Sequence, residues 1–186
     1  MIDTIKAKLA RLCQPGYVNQ KTGRSSKTGF LNPPLSGAEV SAFESAHQVI
    51  LPEGYRRFIT EIGNGGIGPE YGLNRLEESL VSQDSGFLAR PFPYTAAWNL
   101  TPDGFDTVPD FEADYFDQRH TQGTLRVCHT GCGYYDLLVV SGPQRGFMWA
   151  DGRASDQGLA RCTGVNYAPL DFLGWYDIFL LREGIR

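Results

Sequence analysis

The sequence predicts an α+β fold: a central antiparallel sheet wound as a meander and flanked by helices. Three observations carry this reading. Apolar residues recur at helical spacing in the first third of the chain, the stretch from Thr124 to Ala150 reads as successive short strands, and a strongly amphipathic segment follows at Phe172–Leu180. Helices, then a meander, then a helix is an order that segregates helix from sheet rather than alternating them. At 186 residues the chain suits one domain, with at most an appendage.

The elements follow in order. Within Ile2–Cys13, the spacing of Ile2, Ile5, Leu9 and Leu12 gives an amphipathic helix with a basic polar side. Gln14–Leu35 contains Pro15, Gly16, Gly23, Gly29, Pro33 and Pro34 and reads as a linker or a long surface loop. Residues 1–35 are therefore expected to be an N-terminal helix and a Gly/Pro/Ser-rich basic arm, with the folded domain at 36–186. Through Pro34 there are six basic residues and one acid, whereas the whole chain is −4, so the remainder carries −9. Such an arm either lies against the acidic body or is solvated.

Ser36 and Glu39 have the spacing of a capping box at a helix start, with Val40, Phe43 and His47 on one face. Pro52 and Glu53 open the next helix, where a missing N–H costs nothing and an acid suits the helix dipole. Tyr55, Phe58, Ile59 and Ile62 form its apolar stripe, and Gly63 is expected to end it in a left-handed cap. Asn64–Pro69 is a glycine-rich turn, and Tyr71–Leu73 is expected to begin a short strand. In the Pro-, Gly- and Asp-rich middle, Asp110–Arg119 predicts a short helix with Phe111, Tyr115 and Phe116 turned inward. Thr124–His129 alternates as a strand. Tyr134–Val140 is apolar in both phases and reads as a central strand. Gly142–Gly146 turns the chain into a strand at Phe147–Ala150, Asp151–Gly158 is loop, and Phe172, Trp175, Tyr176, Phe179 and Leu180 line a closing helix.

Composition narrows function. A net charge of −4 disfavours a nucleic-acid binder, which needs a basic face against phosphate. No apolar run approaches the ~20 residues of a membrane span, and Met1–Cys13 has no continuous apolar core of a signal peptide. A cytoplasmic protein with four reduced thiols at Cys13, Cys128, Cys132 and Cys162 is expected.

The motif search finds no catalytic centre. Gly63–Gly68 follows a helix rather than a strand and lacks the Gly-Lys-Ser/Thr that a phosphate loop requires. Cys128, His129 and Cys132 lack the second ligand pair of a structural zinc site, and on a strand Cys128 and His129 point to opposite faces, so buried free cysteines are expected. A metal-dependent enzyme using these three residues stays a distant alternative. Asp136 and Asp151, with Arg145 and Arg153 close by, suit structural ion pairs or turn caps. No enzyme activity, cofactor or metal is expected. Two features point instead to protein recognition. Six acids and no Lys or Arg fall between Asp103 and Asp117, which suits a basic partner. The aromatics Tyr71, Trp98, Tyr134, Tyr135, Trp149 and Trp175 exceed what one small core obviously needs, and such residues anchor interfaces; the alternative is that most of them pack the core, Trp175 above all.

Leu51-Pro-Glu-Gly-Tyr through Gly-Asn-Gly-Gly-Ile-Gly-Pro-Glu-Tyr-Gly-Leu73 resembles the N-terminal motif of the SUKH superfamily (the Smi/Knr group). Gly131-Cys-Gly133, the Tyr134–Val140 strand, Gly142–Gly146, Phe147–Asp151 and the closing Phe172-x-x-Trp-Tyr helix are similar to its C-terminal half. The resemblance spans about residues 36 to 182 with a variable middle. It implies a single SUKH-like α+β domain without established catalytic residues. Bacterial members are mostly immunity proteins that bind polymorphic toxins, many of them nucleases or deaminases, and eukaryotic relatives regulate cell-wall synthesis and signalling. The expectation is thus a non-catalytic immunity protein that neutralises a cognate, basic toxin domain, with a regulatory or scaffold module as the alternative. The expected partner surface is Asp103, Asp106, Asp110, Glu112, Asp114 and Asp117, with Tyr71 and Trp98 as anchors.

Overall fold

The computed structural model describes residues 1–12, 30–100 and 111–185. Among these residues it shows an α+β fold with five α-helices and a four-stranded antiparallel meander. The helices are α1 (Ile2–Leu12), α2 (Gly37–Ala46), α3 (Glu53–Glu61), α4 (Phe111–Tyr115) and α5 (Phe172–Arg182). The strands are β1 (Thr124–Gly131), β2 (Tyr134–Val139), β3 (Met148–Asp151) and β4 (Leu159–Arg161), in spatial order β1-β2-β3-β4.

Local chemistry sets the helix ends. At the start of α2 the Ser36 hydroxyl accepts from the Glu39 N–H at 3.2 Å, and the Glu39 carboxylate accepts from the Ser36 N–H at 2.8 Å. This is the reciprocal capping box the spacing predicts. Pro52 precedes α3, whose Tyr55, Phe58 and Ile59 are buried. The side chain of Asp171 accepts from the Gly174 N–H at 2.7 Å and caps α5. Helix α1 packs on the body: Ile2, Ile5 and Leu9 are buried in the same core as α3 and α5, and Lys8 pairs with Asp177 at 2.7 Å, whereas most of the expected Gly/Pro-rich arm, residues 13–29, lies outside the described residues.

The sheet carries a core on each face. On its inner face Leu125, Leu138 and Met148 meet the helices, where Tyr55 and Phe58 pack edge-on against Phe172. On the outer face Leu137, Val139, Trp149 and Leu159 are covered by Phe92, Tyr94 and Trp98. Burial on both sides explains why β2 is apolar in both phases. Each fully buried large apolar side chain contributes roughly 1.5–3 kcal/mol.

Several expectations are corrected. Gly63 does not take a positive φ; a Cβ there would lie 2.7 Å from the Asn32 carbonyl oxygen, so glycine serves close packing of the chain at 31–32. Tyr71–Leu73 is not a strand. Leu73 makes single bridges to Gly66 and Cys128, because the Gly-Pro loop turns too tightly to extend pairing. Phe116 points outward and is 47% exposed, since α4 ends at Tyr115 and the backbone then turns into a single 3-10 turn at Gln118–Thr121. Strand β4 follows directly after the expected Asp151–Gly158 loop, in a stretch to which the sequence reading assigns no element.

Candidate functional site

The strongest candidate surface lies on the outer face of β1 and β2, and an irregularity in β1 creates it. Arg126 pairs with Leu137, but Cys128 pairs with Asp136, so β1 spends one more residue than β2 over this step. This is a β-bulge at Val127, which turns both Val127 and Cys128 into the inner core. His129, opposite Tyr135, therefore emerges on the same face as Arg126. Simple alternation would have put Arg126 with Cys128.

The result is a ladder of rings and charge. The Arg126 guanidinium carbon sits 4.3 Å from the Tyr135 ring centroid. Tyr135 lies 4.9 Å from His129, and His129 stacks on Tyr71 at 5.3 Å with 19° between planes. Gly131 continues the platform. Its φ of +98 suits glycine, and a Cβ built there would touch the Tyr71 ring at 3.4 Å. Tyr71 is 77% exposed, whereas the members below it are half-buried. An exposed tyrosine is thus supported from beneath by a rigid strand. Arg126 has no ion-pair partner among the described residues, and its Nε is buried without a hydrogen-bond acceptor.

Trp98 is half-buried and held by its backbone. Its N–H donates to the Leu159 carbonyl at 2.8 Å and its carbonyl accepts from the Leu159 N–H at 2.7 Å, so it is bonded to the edge of β4. Gly158 permits this, because a Cβ there would fall 2.0 Å from the Trp98 carbonyl oxygen. The indole stacks 4.2 Å from His120, 5.0 Å from Tyr94 and 5.6 Å from Tyr115. Burial, reinforced by the charges of Arg119 and Arg153, lowers the His120 pKa and favours the neutral ring. Nε2 then donates to the Asp114 carbonyl at 2.9 Å while Nδ1 accepts from the Tyr94 hydroxyl. These contacts fix the Trp98 indole against His120 and Tyr94.

The acidic surface is only partly in view. Asp103, Asp106 and Asp110 lie outside the described residues. Glu112 is exposed, Asp114 pairs with Arg119, and the Asp117 carboxylate accepts from the Arg119 N–H at 2.7 Å. Asp114 is thereby ion-paired within the chain, whereas Glu112 and Asp117 keep exposed carboxylates. The structure does not bring Tyr71 and Trp98 into one cluster: Tyr71 stacks over β1, whereas Trp98 stacks with His120 beside β4.

The cysteines also divide. Cys128 is buried and its thiol is pushed up to about 12, mainly by burial. Cys162 is raised further by burial and the Asp136 charge. Cys132, expected to be buried, is exposed instead at the tip of the β1–β2 turn, where the chain must reverse between two glycines. Among the described residues no group of three His, Cys, Asp or Glu is placed to hold a metal ion, and no helix is long and apolar enough to cross a membrane. A shallow depression of about 400 Å³ at the end of α2 offers one ionisable group, Glu44, which already faces Arg56 at 3.5 Å.

His129, Tyr135 and Arg126 complete the platform that only Tyr71 marked in the predicted surface. Their common face depends on the bulge, so periodicity alone could not have found it. No family model matches this chain, and comparison with curated proteins and with solved structures returns no match.

Proposed function

We propose that this chain is a protein-binding module that neutralises a cognate toxin domain by covering it, a cytoplasmic immunity protein of the SUKH type. The observation that supports this reading most directly is the supported tyrosine. Tyr71 stands exposed on His129, Tyr135 and Arg126, so its ring is positioned before any partner arrives. Preorganised Tyr and Arg side chains are the composition of interface hot spots, because little conformational entropy remains to be lost on binding. The motif resemblance from Leu51 to Leu73 supports the same reading, since Tyr71 sits within that motif. The acidic residues around Glu112 would add steering toward a basic toxin.

Growth rescue tests it. The chain is co-expressed with the toxin-like domain encoded beside it, and separately with an unrelated toxin. Rescue from the neighbour alone is the expected result. Absence of rescue, with both proteins soluble, would overturn the immunity reading in favour of a regulatory module.

A further inference from the structure

Beyond β4 the chain forms a short projecting hairpin. Cys162 donates to the Met148 carbonyl at 2.9 Å, Leu170 donates to the Cys162 carbonyl at 3.0 Å, and Thr163 bridges Pro169. At the apex the Ala168 N–H closes a four-residue turn on the Val165 carbonyl at 3.3 Å. Both central residues have positive φ, +57 at Asn166 and +58 at Tyr167, as in a type I′ turn. The second of these positions is one that glycine ordinarily fills, because a side chain there crowds the backbone.

Here it is a tyrosine, and the fold gains nothing visible from it. Tyr167 is 87% exposed and Val165 is 84% exposed, the two most exposed large apolar side chains among the described residues. The whole stretch Thr163–Pro169 carries no charged residue, although one residue in five of the chain is charged. A strained backbone that holds a bulky ring in solvent is the pattern of a contact awaiting its partner. An uncharged, tyrosine-bearing tip matches the composition of interface cores, which are depleted of charge and enriched in aromatics. Cys162 lies beside Met148, so the base of this hairpin is at the end of the sheet opposite the Gly131–Gly133 turn and Tyr71.

We propose that the Val165–Tyr167 tip is a second contact surface, which inserts Tyr167 and Val165 into an uncharged apolar pocket of the toxin domain. This rests on the toxin-neutralising reading above. Tyr71 would dock one flank of the partner while the hairpin enters a recess on it.

The test is Tyr167→Gly, with Val165→Ser as a second variant that leaves the turn backbone alone. Relief of the left-handed tyrosine should raise the melting temperature of the free protein by about 2–4 °C. The same variant should lower growth protection against the neighbouring toxin domain and weaken its binding at least tenfold by titration calorimetry. Val165→Ser should weaken binding with an unchanged melting temperature. Greater stability with lost binding separates a contact role from a structural one. Wild-type protection that both variants retain in full would overturn the tip assignment and leave the immunity reading standing. A wild type that fails to protect would overturn both. A melting temperature that does not rise in Tyr167→Gly would overturn the argument from strain.

Discussion

The Arg153 guanidinium grips the Asp151 carboxylate through both oxygens, Nε on Oδ1 at 2.9 Å and Nη2 on Oδ2 at 2.8 Å, with both side chains about 5% exposed or less. The remaining nitrogen donates to the Tyr115 carbonyl at 3.0 Å and the Asp117 carbonyl at 3.3 Å. One side chain thereby ties the end of β3 to the C-terminal end of α4 and the turn that follows it. Removal of one partner from a buried pair leaves an uncompensated charge, which costs about 3–5 kcal/mol. Arg153→Ala should lose that much in urea denaturation. The double change Asp151→Leu with Arg153→Met should lose far less, because no charge is stranded. A loss below about 1 kcal/mol in Arg153→Ala would contradict this role.

Asp136 sets a pH dependence of stability. It lies on the inner face of β2, opposite Cys128 and Ala150, with the Cys162 sulfur 3.7 Å from Oδ1. Burial pushes its carboxyl up to about 6, against smaller downward pulls from Cys162, Arg182 and Trp175. The unfolded value is near 3.8, so the folded state holds the proton more tightly. The associated stability is fully present below about pH 3.8 and is lost as pH rises through 6. Above that, the ionised group costs at most about 3 kcal/mol, from roughly two pKa units at 1.36 kcal/mol each. Asp136→Asn should therefore raise the melting temperature at pH 7.5 and show a much smaller gain at pH 4.5. Equal gains at both values would show that burial of this carboxylate is not the cause.

What the sequence could and could not reveal follows from the range of each interaction. The Ser36–Glu39 cap closes over three residues, and the α5 stripe repeats within one helix, so both are legible locally. Strand β2 is legible because burial on two faces removes polar residues from both phases. The bulge at Val127 depends on pairing with a strand ten residues away, and nothing at Val127 itself announces it. The common face of Arg126, His129 and Tyr135 is hidden for that reason, although Tyr71 and Tyr135 each stand out as aromatics. The backbone pairing of Trp98 with Leu159 spans 61 positions and is therefore invisible in the local sequence. Strand β4, three residues long, is too short to show a period.

Helix α1 should behave as part of the body. Ile5 is fully buried and belongs to the core shared with α3 and α5, and Lys6 pairs with Glu61 at 2.7 Å. Ile5→Ala leaves a cavity and should cost about 2–5 kcal/mol, measured by urea or thermal unfolding. Deletion of residues 1–34 would strip the same core, so lost protection in that truncation reports stability rather than a docking arm. An Ile5→Ala protein as stable as wild type would place α1 outside the cooperative fold.

Tyr71 and His129 should be coupled in binding and nearly silent in folding. Tyr71 is exposed, so Tyr71→Ala should change stability by no more than about 0.5 kcal/mol. If its ring is an interface anchor, the same change should weaken toxin binding by about 2 kcal/mol, roughly 30-fold. His129 acts through Tyr71: loss of the imidazole removes the stack beneath the ring and frees it to adopt other rotamers. His129→Ala should therefore weaken binding by less than Tyr71→Ala, and the double variant should be no worse than Tyr71→Ala alone. The coupling in such a cycle is expected at about 0.5–1.5 kcal/mol, the range for a stacked ring pair. Strictly additive losses would mean that His129 contacts the partner on its own account, and unchanged affinity in Tyr71→Ala would move the interface away from this face of the sheet.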